Sequence, residues 1–405
     1  MRDDFVPLIF AGDINVYSVA RAFHEEYGIK SRAYGKYMSW PCTGSRIIDY
    51  TANPNADEQE VFLGIVREFA ARQRDKKVIL LGCGDNYVQL ISKNLPEFPE
   101  NIIAPYVNID LLNKLINKEN FYKLCEEKMI DYPNTFVHRR EMGDDFILPF
   151  DKPFIIKPSD SIKYWKHPFE GQNKVFKAKD RDELLRVIGS IYGAGYDDSL
   201  IIQDFIPGDD SYMRVLTNYS DKSGAVRMMC LGHVLLEEHT PHGVGNHAVI
   251  ITEYNRALED RIKALLEGIS FIGYSNFDIK YDRRDGKYKV FELNARQGRS
   301  NYYVTNAGEN IARYIVDDYI GNKKKRCKYV TKEALWFVIP KQVAFSYIPH
   351  EEHRMRMRIL INDGHYVNPL NYSADGGIVR KLRFLKSDLG HFYKYRKYLG
   401  KQPEE

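Results

Sequence analysis

The sequence predicts a chain of mixed α/β and α+β class, with an open parallel α/β domain first and α+β structure after it. Three observations predict it. Two strand–glycine turn–helix units, "FVPLIFAGDINVYSVARAFHEEYGI" and "KKVILLGCGDNYVQLISKNL", lie in the first hundred residues, the pattern of a parallel sheet covered by helices. Long apolar strands, "SLIIQDFIPGDDSYMRVLT" and "GAVRMMCLGHVLLEEHT", follow in the middle. The third is "SNFDIKYDRRDGKYKVFELNAR", two alternating strands joined through Asp-Gly, a strong hairpin signal. At 405 residues the chain exceeds one ordinary core.

Taken in order, the first unit reads as a buried strand, a Gly-Asp turn and a helix beginning near Asn15. The second places a strand over 78–83, glycines at 82 and 84, and a helix from Asp85. It lacks the third glycine of a dinucleotide fingerprint and is not one. This first domain spans 1–112. "LLNKLINKENFYKLCEEKMIDYPNTF" reads as a helix ended by Asp131 and Pro133, and "FIIKPSD" as a short buried strand that holds a lysine. Helices follow at "RDELLRVIGSIYG" and "ALEDRIKALLEGISF", with "PHGVGNHAVI" as a loop between. The last part, 325–405, mixes the strand-like "EALWFVIPKQVAFSYI" with a basic aromatic helix, "SDLGHFYKYRKYL".

Composition narrows the class. The hydrophobic share of 44% is that of a globular protein. With 59 basic and 55 acidic residues the net charge is +4, and mixed charges without a basic stripe argue against a nucleic-acid binder. Five cysteines stand at wide spacing with no CxxC pair, the usage of reduced thiols in a cytoplasmic protein. The acids ahead of the short apolar run at the N-terminus do not suit a signal peptide. No apolar stretch approaches the roughly 20 residues of a membrane span.

In the hairpin, Glu292 and Asn294 share a strand face, because side chains alternate with period two. A three-residue loop, Arg284-Asp285-Gly286, would pair Asp278 with Glu292 and bring all three oxygen donors to one side. The sequence therefore predicts that odd-length turn. Three hard oxygen ligands suit Mg²⁺, which keeps other positions for water and phosphate. Arg296 and Arg299 follow at once, and planar forked donors suit a phosphoryl group.

These strands resemble the metal-binding strands of ATP-grasp ligases, in which Asp and then Glu-x-Asn hold two Mg²⁺ on the ATP phosphates. "NKENFYKLCEEK" is similar to that family's opening helix, whose matching lysine is Lys118. "PFIIKPSD" is similar to the strand whose lysine, here Lys157, bridges the α- and β-phosphates. "QDFIPGDDSYMRV" is similar to the hinge that clamps adenine. The resemblance implies that the Asp204 carbonyl accepts from the adenine amino group and the Ile206 amide donates to the ring. Phe205 lies between them, Asp210 holds the ribose, and Gln203 stands where the family has Glu. The lid over the phosphates departs from the family. "SDSIKYWKHPFEGQNKVF" has one glycine, and Ser159, Ser161 and lysines stand in for a glycine-rich loop. The implied layout is a small subdomain at 113–195 and a large one at 196–324, clasping ATP.

Over most of the chain the likeness is to the D-aspartate ligase group of carboxylate–amine ligases, carried by "DINVYSVARAFHEEYG", "KPSDS", "IPGDDSYMRVLT" and "FELNARQGRSNYYVTNAGEN". It implies amide formation between aspartate and the lysine side chain of a peptidoglycan precursor, with ATP and two Mg²⁺. Such chemistry needs positioning and charge stabilisation rather than a side-chain nucleophile. Arg296 and Arg299 are then the catalytic candidates. Asp13, Asn15, Arg214, His242, Gly243, Gly245, Asn246 and Ser300 are candidates for the acid's pocket, with Asn15 equally suited to cap a helix. His239, His242 and His247 fit no common zinc spacing. The basic aromatic helix suits either an anionic or membrane-bound partner or a solvated face with its rings packed inward. An isologous dimer is the default assembly. A dipeptide ligase on the same scaffold, a non-catalytic ATP-binding protein and, third, a nucleic-acid binder are the competing readings.

Overall fold

The two strand–turn–helix units fold as the sequence predicts. In the computed structural model, which describes residues 2–240 and 243–400, strands β1 (Phe5–Phe10), β2 (Ser31–Gly35), β3 (Ile48–Ala52), β4 (Lys77–Gly82) and β5 (Ile102–Ile103) form one sheet. Its order is β3-β2-β1-β4-β5 and all its pairings are parallel. Leu8, Ile9 and Phe10 of the central strand are fully buried, as expected where helices cover both faces of a parallel sheet. The first helix runs Ile14–Tyr27, and Asp13 rather than Asn15 caps it, accepting from the Asn15 and Val16 amides. A carboxylate satisfies those unpaired N–H groups and complements the helix dipole.

The chain divides into two compact units. One comprises residues 1–109, 210–276 and 294–405; the other comprises 110–209 and 277–293. In the second unit the predicted long helix is broken in two, Ile109–Ile116 and Lys118–Glu127. Asn117 breaks it by turning its side chain onto the Asn120 amide as a new cap. Strands β6 (Thr135–His138), β7 (Phe154–Pro158), β8 (Phe176–Ala178) and β9 (Leu200–Asp204) then form an antiparallel sheet in the order β6-β9-β7-β8. Phe154, Ile156, Leu184, Ile188 and Ile202 form its core with helix Arg181–Gly193. Each such side chain contributes roughly 1.5–3 kcal/mol on burial, enough to hold the lysine strand β7 rigid.

The first unit also holds β10 (Met213–Ser220), β11 (Val226–Glu237), β12 (His247–Glu253) and the start of β13 (Gly273–Asp282), which continues into the second unit as a hairpin with β14 (Lys287–Asn294). Strands β15 (Lys328–Tyr329), β16 (Leu335–Phe337) and β17 (Tyr366–Val367) complete a sheet ordered β13-β10-β11-β12-β16-β17, with β15 beside β11. The predicted strand at 333–348 stops at Phe337, and residues Lys341–Tyr347 are helical. Pro340 explains the change, since it gives no ladder hydrogen bond and its fixed φ starts a helix. The C-terminal helix is longer than the sequence predicts, running Ile378–Tyr398.

Candidate active site

In the second unit, Lys157 projects from β7 with its ammonium 4.6 Å from the centre of the Phe291 ring. Burial and the neighbouring Lys118 lower its pKa to about 8, against the opposing pull of Glu292 and Asp278. Both predicted metal-binding carboxylates therefore act on Lys157, one of the two lysines expected at the phosphates. Lys118 is buried, with its Nζ 3.3 Å from the Ser161 hydroxyl and its amide donating to the Ser159 carbonyl. Ser159 is fully buried, its Oγ accepting from the Glu119 amide at 3.4 Å. That bond spends the hydroxyl inside the fold, so Ser161 is the lid serine beside the lysine. The sequence passed over Lys174, whose Nζ lies 4.0 Å from Glu292. Nothing in the lid sequence separates it from Lys163, which pairs with Asp198, or from Lys177, which lies 3.8 Å above the Phe205 ring.

The titration of Lys157 has a measurable consequence. A bound triphosphate favours the ammonium, so below pH 8 the lysine is already protonated and binding moves no proton there. Above pH 8 the empty site is deprotonated and must take up a proton to bind. ATP affinity is expected to fall about tenfold between pH 7 and pH 9, with nearly one proton absorbed at the higher pH. Calorimetry in two buffers of different ionisation enthalpy measures this, and Lys157→Met should remove the dependence.

The hairpin turn differs from the prediction. Strand β13 ends at Asp282 and β14 resumes at Lys287, leaving four residues rather than three, and left-handed Gly286 (φ 72°) donates its amide to the Asp282 carbonyl at 2.9 Å. Asp282 is the cause. Its buried carboxylate takes the Arg284 amide at 3.0 Å and the Lys289 ammonium at 2.8 Å, an Asx turn that lengthens the loop. Counted back from four residues, Asp278 would oppose Phe291. Along β14, Val290 and Leu293 are both buried with half-exposed Phe291 and Glu292 between them, so burial does not alternate strictly. The turn thus lacks the odd length that was to bring Asp278 and Glu292 to one side; what joins the two carboxylates is that both pull on the Lys157 ammonium.

Gln203 and Asp204 end the buried strand β9. The Gln203 amide donates to the Thr135 hydroxyl at 2.8 Å. The Asp204 carboxylate is held by both guanidinium nitrogens of Arg284, at 3.1 and 2.6 Å, a fork that sequence spacing gave no sign of. Phe205 lies beneath Lys177, and Ile206 is buried. Asp210 belongs to the first unit, where its carboxylate accepts from the Glu237 amide at 2.9 Å and the His239 imidazole at 2.8 Å. Its predicted ribose role competes with those bonds.

In the first unit, Arg296 is engaged otherwise than predicted. Its Nε and Nη2 grip Asp85, the first residue of helix Asp85–Lys93, at 2.6 and 3.1 Å, while Nη1 donates to the Gln297 carbonyl. Its donors are turned onto the protein. Arg299 is different: Nη2 donates to Glu238 at 3.0 Å, while Nη1 is buried with no hydrogen-bond partner among the described residues. An orphaned buried guanidinium nitrogen is costly unless a ligand completes it. Asp13 is an exposed residue whose Oδ1 takes the Asn15 and Val16 amides, and crowding by protein raises its pKa against the pull of Arg299 and Arg296.

Asn15 is a structural tie. Its Nδ2 donates to the Cys83 and Gln297 carbonyls, and its Oδ1 accepts from Asn301. Arg214 is buried beside Glu253, at 2.6 Å, and donates to two backbone carbonyls of its own turn. Neither is available to a substrate. Gly243 and Asn246 close a turn in which the Asn246 amide reaches the Gly243 carbonyl, and Gly245 is left-handed (φ 84°). A Cβ at Gly243 would fall 2.7 Å from Glu238 Oε2 and displace the partner of Arg299. His242 lies outside the described residues. Ser300 touches the buried His247 at 3.3 Å, and burial with the nearby Arg299 lowers that imidazole's pKa to about 4.

The donor set at the hairpin fits Mg²⁺. The Asp278 and Glu292 carboxylates both pull on the Lys157 ammonium, and Asn294 follows Glu292 by two residues along the chain. Mg²⁺ is held in this way, by one or two carboxylates with phosphate and water filling the rest.

Comparison with known proteins agrees. The chain is 40% identical to the D-aspartate ligase of Enterococcus faecium (strain Aus0004) over 409 residues, covering 98% of this chain and 97% of that one. Among solved structures, the biotin carboxylase domain of Hydrogenobacter thermophilus 2-oxoglutarate carboxylase, in complex with MgADP and bicarbonate, matches with TM-score 0.60 at 14% identity over 82% of this chain and 74% of that one. The L-amino acid ligase of Bacillus licheniformis matches with TM-score 0.50 at 14% identity, covering 78% and 71%. These identities show a shared fold, the ATP-grasp fold. No family model matches the chain.

Proposed function

Because this chain belongs to the D-aspartate ligase family of ATP-grasp enzymes, we propose that it activates D-aspartate as an acyl phosphate and joins it to the lysine side chain of a peptidoglycan precursor. The ligase itself, ATP-dependent and forming an amide bond, follows from the family. The choice of acid rests on likeness along the whole chain. The observation that carries the reading is the meeting of lysines and carboxylates at the hairpin: Lys157 lies 4.6 Å from the Phe291 ring, Lys174 lies 4.0 Å from Glu292, and Asp278 and Glu292 both pull on the Lys157 ammonium.

In the first step a carboxylate oxygen attacks the γ-phosphorus of ATP and ADP leaves. In the second the amine adds to the acyl phosphate, the tetrahedral adduct expels inorganic phosphate, and the nitrogen loses a proton. Lys157, Lys118 and Lys174 hold the polyphosphate by charge, and the Asp204 carbonyl and Ile206 amide read the adenine edge. Asp278, Glu292 and Asn294 would hold two Mg²⁺, which when bound neutralise the β- and γ-oxygens. Arg299, oriented through Glu238, offers its buried Nη1 to the transferring phosphoryl and then to the oxyanion. Asp13, an exposed residue near two arginines, suits the ammonium of the amino acid. The reaction belongs to the cytoplasm, where ATP and the precursor's peptide are made.

A hydroxylamine trap tests the proposal without the acceptor. The protein is incubated with ATP, Mg²⁺ and each of a panel of amino and other carboxylic acids, and hydroxamate and ADP are scored together. Hydroxamate from D-aspartate but not L-aspartate is the expected result. Hydroxamate from another acid alone would keep the mechanism and discard D-aspartate.

A further inference from the structure

The helix Ile378–Tyr398 is fastened along one side and bare along the other. At its start Asp375, buried, accepts from Tyr17 and Ser45 hydroxyls at 2.8 Å and pairs with Arg380 at 3.2 Å. Arg380 also donates to the Pro41 carbonyl at 2.9 Å and lies over the Tyr17 ring. Near its end the buried Tyr395 donates to the Glu237 carbonyl at 2.7 Å. The inward stripe is thus Arg380, Phe384, His391 and Tyr395, at helical spacing.

On the outer side Ile378, Leu382, Leu385, Leu389 and Phe392 recur at intervals of four and three, each between 44% and 80% exposed. Val379 and Tyr393 widen the stripe and are exposed too. An ordered line of seven large apolar side chains on a monomer's surface marks an interaction face rather than scatter. The helix carries seven Lys and Arg against the single Asp388, a net +6 on a chain whose total is +4. Lys381 flanks the stripe on one side and Lys386 and Lys397 on the other, by helical geometry. At the helix start a cavity of about 610 Å³ is lined by Arg46, Lys381, Tyr372 and Ile378, a basic recess with an apolar rim.

From this we infer that the helix Ile378–Tyr398 is a docking face for an anionic lipid surface, lying in the interface with its apolar stripe in the acyl boundary and its lysines on the headgroup phosphates. The charge decides between occupants. A second copy of the helix would set +6 against +6, whereas an anionic bilayer complements both halves of the pattern. No helix among the described residues is long and apolar enough to cross a membrane, so this helix would lie on the surface. The same helix abuts the loop of the candidate acid pocket: His391, Lys394 and Tyr395 line a small cavity with Glu238, His239 and Thr240. Docking would hold that loop beside the lipid surface. The inference is independent of which acid is activated.

The test is flotation of the full chain with phosphatidylglycerol vesicles and, in parallel, with phosphatidylcholine vesicles. Binding to the anionic vesicles is expected to be at least tenfold tighter, and to weaken with salt. The double variant Leu382→Glu/Leu389→Glu should lose it, and Lys386→Ala/Lys397→Ala should lower it severalfold. Both should keep the wild-type hydroxamate rate in vesicle-free buffer, which guards against misfolding. No binding to anionic vesicles, or equal binding to both kinds, overturns the inference. So does a solution dimer that Leu382→Glu/Leu389→Glu dissolves without any effect on flotation, which would give the face to a second copy.

Discussion

Glu292→Gln is expected to abolish hydroxamate formation, by on the order of a thousandfold or more, the effect of the several kcal/mol that a metal supplies to phosphoryl transfer. The substitution keeps the size and the hydrogen-bonding reach of the side chain and removes only its charge. Glu292 is half-exposed on β14, so the loss of charge should leave the fold's stability near that of the parent. It should also act on Lys157, because Glu292 is the first of the groups that raise that lysine's pKa. The pH above which ATP binding weakens is then expected to fall below 8 in the variant. Rate, thermal midpoint and the pH profile of ATP binding together separate the roles. A variant that keeps its rate would remove Glu292 from the metal site, while one that loses its fold would show a structural acid instead.

Arg299→Met is the second. One oxyanion donor is worth roughly 3 kcal/mol, about a hundredfold in rate, and of the two candidate arginines it is Arg299 that keeps a buried nitrogen without a partner among the described residues. The loss should appear in kcat with the KM for ATP little changed, since the donor is needed as charge moves to the acyl oxygen. Arg299→Lys should recover little, because a point charge does not replace the fork that also grips Glu238. Arg296→Met is the control. It breaks the pair with Asp85, so its cost should fall mainly on thermal stability. If Arg296→Met costs more in rate than Arg299→Met, the assignment drawn from their partners is reversed.

Much of this was legible along the chain. The two Gly-turn units announced the parallel sheet because period and turn residues are local signals. Lys157, Asp278 and Glu292 were legible because a charge in an apolar strand contradicts its surroundings and asks for a ligand, whereas Lys118, on a helix, was marked only by resemblance to the family. The breaks at Asn117 and Pro340 were legible in kind but were passed over, since each competes locally with a longer pattern of good helix or strand formers. Pairings between distant residues were not legible: Arg296 with Asp85, Arg284 with Asp204, and Asn15 with Gln297 and Asn301. Nothing in the spacing of two arginines three residues apart says which one a helix N-terminus will claim.

What the sequence by itself determined is the set of groups able to do the chemistry and the order in which strands and helices carry them. Tertiary structure decided which of those groups remain open. Asp282 lengthened the turn whose odd length was to align the carboxylates. Asp85 took one arginine and left the other. The physical reason is the same in each case. Local conformation follows from neighbours a few residues away, whereas a hydrogen bond or ion pair is settled by whichever partner the fold brings within about 3 Å.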